Sequence, residues 1–353
     1  MNKKLLTLAS ATLMLAWTSV CTNAASSGTA GDKITWTLSD DSVLVVSGEG
    51  KMSDNVTWNK DSIKKVIISD GITYISEKAF FQCKNMISAD IANSVEDFGQ
   101  LAFAESKNLQ TVTFPKSMKT IPCKAFSFCE KLTNFTIPYG VERIEEGAFR
   151  YCYAPKNLEI PTTVTYIGQD AFHTCLGLTS VVIPNSVDTI EIDAFQFCMY
   201  MEKVELGSGL KFIGKGAFNA TSLTHVICWA TTPPVTSRYN DNVFDPRDVP
   251  NALLEVPQES VEAYKAASQW GKFGTISGIV HTGVGSVKTD SGISAYAQGG
   301  TITVSGAEAG AQMQVYTMNG AMLYSGAVKP VAAPAPGIYV VRVAGKAVKV
   351  AVR

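Results

Sequence analysis

The sequence predicts a mainly β protein: a solenoid of 23-residue units on a parallel sheet, with a β cap and a small C-terminal β-sandwich. Three observations predict it. The pair Ala-Phe recurs at Ala79, Ala102, Ala125, Ala148, Ala171, Ala194 and Ala217, each 23 residues after the last. A fixed period of that length marks stacked units that share one core. Between copies lies an alternating apolar pair, such as Val181 and Ile183, which is the spacing of a strand with one buried face. After Gly278 the period is gone, and short alternating runs replace it.

Taken in order, residues 1–25 read as a secretory signal peptide. Lys3-Lys4 precede an apolar run from Leu5 to Val20, and the small residues Asn23-Ala24-Ala25 follow. Cleavage after Ala24 or Ala25 is expected. Cys21 is a poor lipidation site, because Val20 stands where a small residue is wanted. No other stretch is long and apolar enough for a spanning helix. Residues 26–60 form a β cap: the runs around Trp36 and from Leu44 to Gly50 read as short strands that cover the solenoid's first edge.

Residues 61–230 carry the repeat. In the unit from Ile167 to Ile190, Ile167 is followed by Ala171-Phe172, Cys175, Leu178, Val181, Ile183-Pro184 and Val187. Proline after the strand (Pro115, Pro138, Pro161, Pro184) cannot donate to a ladder, so it ends the strand. Stacking places Phe80, Phe103, Phe126, Phe149, Phe172, Phe195 and Phe218 in one column, an aromatic spine. The strand positions run from Val66 and Ile68 to Val226 and Cys228, which makes eight rungs. The last unit is one residue short, as a solenoid end should be.

The order I-x-x-x-A-F-x-x-C-x-x-L-x-x-V-x-I-P resembles the bacterial leucine-rich-repeat family called BspA-like. The resemblance implies a leucine-rich-repeat solenoid over about residues 60 to 230. It also implies a surface-displayed, adhesin-like protein that engages host or bacterial surface proteins. Residues 231–280 read as the C-terminal cap of the solenoid. Leu253–Pro257 is expected as its last strand, and Ser260 as the N-cap of a short helix. Trp270, Phe273 and Ile276 are expected to dock on the final rung. The run from Val256 to Trp270 resembles the closing segment of such repeats in Bacteroidetes-type surface proteins.

Gly, Ser and Thr make residues 281–292 a linker. Residues 293–353 alternate in short strands, with a hairpin signal at Asn319-Gly320 and a turn at Gly345-Lys346. A β-sandwich follows from that pattern. The tail resembles the sorting domains of the type IX secretion pathway at Val315-Tyr316, Gly337-Ile338-Tyr339, Arg342-Val343 and Lys349-Val350. That resemblance implies recognition by outer-membrane export machinery and a place at the cell surface or outside it.

Of the 353 residues, 46% are hydrophobic and 17% charged, which is globular composition. Net charge is -1. Two lysines at the start and a surplus of four bases from Lys288 onward leave the body at -7. An acidic body argues against a nucleic-acid partner. Cysteines recur at one unit position (Cys83, Cys129, Cys152, Cys175, Cys198). A column is linear, whereas zinc needs four ligands converging at about 2.3 Å. The column reads as buried free thiols filling space, with Cys123 the most exposed. His173, His225 and His281 have no partner at a catalytic spacing, and no phosphate loop, HExxH or GxSxG occurs. No enzyme activity, cofactor or metal is expected.

What remains is a surface. The outward strand positions include Asp90, Thr111, Thr113, Asn134, Thr136, Asn157, Glu159 and Ser180. These are small hydroxyl, amide and acidic groups able to bind protein or glycan, and they read equally as solvated β-surface. The row has no aromatic platform, which weakens the glycan reading. Phe128, Tyr151 and Phe197 fall on another side.

Overall fold

The computed structural model describes residues 24–133, 135–156, 158–236, 242–279, 294–298, 300–305, 307–308, 310–317, 322–334, 337–343 and 346–352. Residues 1–23 of the expected signal segment, with Cys21, and the expected linker, His281 and the Asn319-Gly320 turn lie outside them. So do Asn134 and Asn157 of the outward row.

The strands begin as antiparallel hairpins and then turn parallel. Ala24–Gly31 pairs antiparallel with Ile34–Ser39, which pairs antiparallel with Val43–Gly48. Gly48 is required at the end of that hairpin. Its φ is +132°, and a Cβ there would strike the Lys33 carbonyl. Val43–Gly48 then starts the parallel sheet, followed by Lys65–Ile68, Ser88–Ile91 and Thr111–Thr113. The cap therefore supplies a rung of its own. Each register step, Lys65 to Ser88 to Thr111, is one 23-residue unit, so every column holds equivalent residues.

The main sheet stops after Thr113 and resumes at Ser180. The described residues at 135–138 and 158–161 form no strand. Two side chains account for this. Phe135 stands in the column of Ala89 and Val112, and its larger ring stacks on Phe149 at 4.8 Å. Pro155 stands in the column of Leu132 and Leu178. Those leucines donate their N–H to Cys129 and Cys175 at 3.0 and 3.2 Å, and proline has no N–H to give. Of the eight expected rungs, six are strands.

From Ser180–Ile183 the sheet continues in parallel through Lys203–Leu206, His225–Cys228, Leu253–Pro257 and Thr275–Ile279. Leu253–Pro257 is thus followed by one more strand, and Ile276 lies within it. The helix Val261–Ala266 starts after Ser260, but Ser260 does not cap it. Its hydroxyl donates instead to the Thr231 carbonyl at 2.8 Å.

A second sheet of short strands, two residues each except Ile72–Ile75, runs along another side in two sections. One ends at Asp97–Phe98. The other runs from Thr120–Ile121 to Val235–Thr236. A third ladder lies at the Ala-Phe corner. Phe103 N–H donates to the Ala125 carbonyl at 2.9 Å and Phe126 N–H to Ala148 at 2.9 Å, and so on in each unit to Phe218 and Val243. The seven phenylalanine rings lie at 5.0 to 5.6 Å centroid spacing, near parallel and fully buried. Trp58 extends the column at one end and Phe244 at the other, at 5.2 and 5.7 Å. One apolar core runs from Ala30 to Phe273.

From Ser294 onward come two antiparallel sheets. One holds Ser294–Gln298, Thr301–Ser305 and Val331–Ala332. The other holds Met322–Ala327, Gln312–Thr317, Gly337–Val343 and Lys346–Val352 in that order. They enclose a separate small core that includes Ile302, Met313, Val315, Val341 and Val350. No helix of the described residues is long and apolar enough to cross a membrane.

Candidate functional site

The invariant phrase of the repeat faces inward. The alanines are fully buried, and from Ala102 on their carbonyls accept the ladder bond from the phenylalanine one unit earlier. The cysteines do more than fill space. The thiol of Cys129 donates to the Phe103 carbonyl at 3.3 Å, Cys152 to Phe126 at 3.3 Å, Cys175 to Phe149 at 3.3 Å and Cys198 to Phe172 at 3.2 Å. Ser106, at the same position, donates to Phe80 at 2.9 Å, which explains why Ser can replace Cys. Burial pushes these thiols up, Cys83 and Cys198 to about 12, so they stay protonated as donors. All seven described cysteines are free, and only Cys123 is partly exposed. In the folded protein a thiol reagent should label Cys123 quickly and the other six only after denaturation. Fast labelling of three or more would contradict this burial.

The corner after each spine phenylalanine turns through the left-handed region. Phe128, Tyr151, Thr174 and Phe197 have φ of 58° or 59°. Non-glycine residues pay roughly 1–2 kcal/mol there. The rings of Phe128 and Tyr151 stack at 4.4 Å, and His173 links Tyr151 to Phe197 at 5.5 and 5.4 Å. Phe128 and Tyr151 meet face to face, His173 meets its neighbours at a tilt or edge-on, and Phe197 stays partly exposed. His173 is buried beside them. Burial holds its imidazole below the usual range, and its Nδ1 lies 2.8 Å from the Thr174 hydroxyl. His225 meets Glu255 at 2.6 Å on the last rungs. Among the described residues no three His, Cys, Asp or Glu side chains converge as a metal site.

The outward row divides. Asp90 is held by Lys65 at 2.7 Å, and the Thr113 hydroxyl lies 3.5 Å from it. Thr113 and Thr136 are brought together at the break in the main sheet. There a groove of about 700 Å³ opens, lined also by Val112, Phe114, Lys116, Thr133, Phe135, Ile137, Pro138 and Tyr139. Thr111, Glu159 and Ser180 lie outside this lining. Near the later rungs, Val182, Glu205 and Trp229 border a cavity of about 230 Å³ whose other wall is Gly300, Thr301, Ala332 and Ala333 of the C-terminal unit. Thr162 donates to the Pro334 carbonyl at 3.2 Å beside it. The open part of the row is therefore its N-terminal half. Lys116, Thr133 and Tyr139 are the groove residues that strand alternation alone does not select. They sit just past the proline or just before the strand, and only the missing ladder exposes them together.

Parallel coils with a dry core and a variable outer row define a repeat scaffold of a kind that is generally non-enzymatic. The chain belongs to the BspA type leucine rich repeat region family, whose model matches six copies over residues 51–175 and 119–245. Among solved structures it is similar to a leucine rich repeat protein of T. pallidum, at 24% identity over 55% of this chain and 78% of that one, TM-score 0.36. It is similar to a leucine-rich repeat protein of Bacteroides ovatus, at 20% identity over 70% and 66%, TM-score 0.42. It is also similar to a leucine rich cell surface protein of Faecalibacterium prausnitzii, at 18% identity over 73% and 96%, TM-score 0.30. No curated protein matches the chain.

Proposed function

We propose that the chain is an exported, adhesin-like protein that binds protein partners through the outward face of its solenoid, without catalysis. The observation that carries this is the groove at the sheet break. It lies on a rigid, fully packed scaffold, and it gathers Thr113 and Thr136 with an apolar floor. The charged and apolar start of the sequence supports export, with the signal peptide removed before Ser26. The short motifs from Val315 to Lys349 support recognition of the C-terminal sandwich by outer-membrane machinery. Glycan capture is the second reading, favoured by the ring of Tyr139, 72% exposed beside the threonine hydroxyls.

The test places the full chain on extracellular-matrix proteins, on whole cells and on a glycan array. Binding to protein is expected, and joint substitution Thr113→Ala, Thr136→Ala and Glu159→Ala should weaken it at least tenfold with an unchanged melting temperature. Unchanged affinity rejects this face, and binding on the glycan array alone rejects the protein reading.

A further inference from the structure

The groove at the sheet break carries a more specific inference, which rests on the reading that this face binds protein. We propose that it receives an acidic segment of the partner: a carboxylate that pairs with Lys116, next to an apolar side chain on the groove floor.

Size comes first. A groove of about 700 Å³ is within the range of ligand pockets and takes a short inserted segment rather than a folded surface. Its chemistry is one-sided. The rim offers the Lys116 ammonium and the hydroxyls of Thr113, Thr133 and Thr136, and none of the ten lining residues carries a carboxylate. Neighbouring bases are already engaged: Lys107 with Glu130 at 2.8 Å, Lys124 with Glu146 at 2.8 Å and Arg143 with Glu145 at 2.6 Å. Lys116 pairs with no carboxylate among the described residues. The closest acid on the row, Asp90, is held by Lys65 at 2.7 Å.

The charge pattern of the chain agrees. From Glu105 to Glu159, both included, stand eight bases and six acids, whereas the whole body carries -7. An acidic segment is thus repelled along most of the solenoid and attracted here, which sets its position as well as its affinity.

Charge decides between a peptide and a neutral sugar. Phe114 and Ile137 are already buried, so the rings open to a ligand are those of Phe135, partly buried, and Tyr139, exposed. Such a ring takes either the C–H face of a sugar or an apolar side chain, but a neutral sugar brings no partner for the Lys116 ammonium, whereas Asp or Glu does.

The experiment pans a displayed library of random dodecapeptides on the immobilised full chain. Recovered peptides should carry Asp or Glu beside Phe, Leu or Ile. Their affinity should fall at least tenfold with Lys116→Glu, fall with Tyr139→Ala, weaken as salt rises, and hold with Lys211→Glu on a distant rung. Recovery without acidic enrichment, or equal binding to the Lys116→Glu protein, overturns the proposal. Lys116-dependent binding of acidic glycans in place of peptides overturns it too. If protein partners are lost in the triple variant above but retained by Lys116→Glu, the acidic-segment proposal fails while the function stands.

Discussion

Replacing Phe149 by alanine should lower the stability of the solenoid by about 3–5 kcal/mol, the cost of a large cavity in a close-packed core. Phe149 is fully buried and stands where two aromatic columns meet. It stacks on Phe126 at 5.6 Å, on Phe172 at 5.5 Å and on Phe135 at 4.8 Å. No residue can move in to fill the space, because the rungs above and below are tied by ladder bonds at the same corner. Urea denaturation followed by circular dichroism measures the loss. A change below about 1 kcal/mol would mean that the spine is not the core of the fold.

The second large effect is conditional. Gly177 has ordinary backbone angles, and equivalent positions in other units hold Lys131 and Tyr200, so the unit itself tolerates a side chain. At Gly177 a Cβ would lie 2.5 Å from the Pro155 carbonyl oxygen and 2.8 Å from that of Tyr153. Pro155 creates this crowding by holding its rung away from the pattern of its neighbours. Gly177→Ala should therefore cost about 1–3 kcal/mol, as overpacking against backbone does. In a Pro155→Leu background, where the leucine column and its N–H bond are restored, the same change should cost less than half as much. A double-mutant cycle measures the coupling. Additive effects would show that the two positions do not communicate.

These two cases mark what a reader of the sequence can and cannot see. The 23-residue period, the interior place of Ala and Phe and the parallel stacking are legible because each unit repeats one set of contacts. The ends are less so. Phe244 continues the spine 26 residues after Phe218, and Trp58 precedes Phe80 by 22, so both escape a fixed period. The hydrogen-bonding role of the cysteines is hidden because thiol and methyl look alike in a hydrophobicity pattern, although Ser106 hints at it. The groove is hidden for a different reason. It results from a ladder that fails to form: the missing N–H of Pro155 is visible in its own unit, but the effect of the Phe135 ring depends on packing between rungs.

The interruptions of the two sheets meet at one joint. The second sheet is divided between Asp97–Phe98 and Thr120–Ile121. The main sheet is divided from Thr113 to Ser180, where the second sheet runs through Arg143 and Tyr166 without a gap. The Ala-Phe corner is bonded throughout. At the joint between the unit that begins at Phe98 and the one that begins at Ile121, both sheets are open among the described residues, and the corner carries the join: Leu101, Phe103 and Glu105 donate their N–H to the carbonyls of Cys123, Ala125 and Ser127 at 3.2, 2.9 and 2.8 Å. The joints on either side keep the corner and at least one sheet. A pull along the solenoid meets its fewest ladder bonds here, so the coil yields first at the joint that borders the groove.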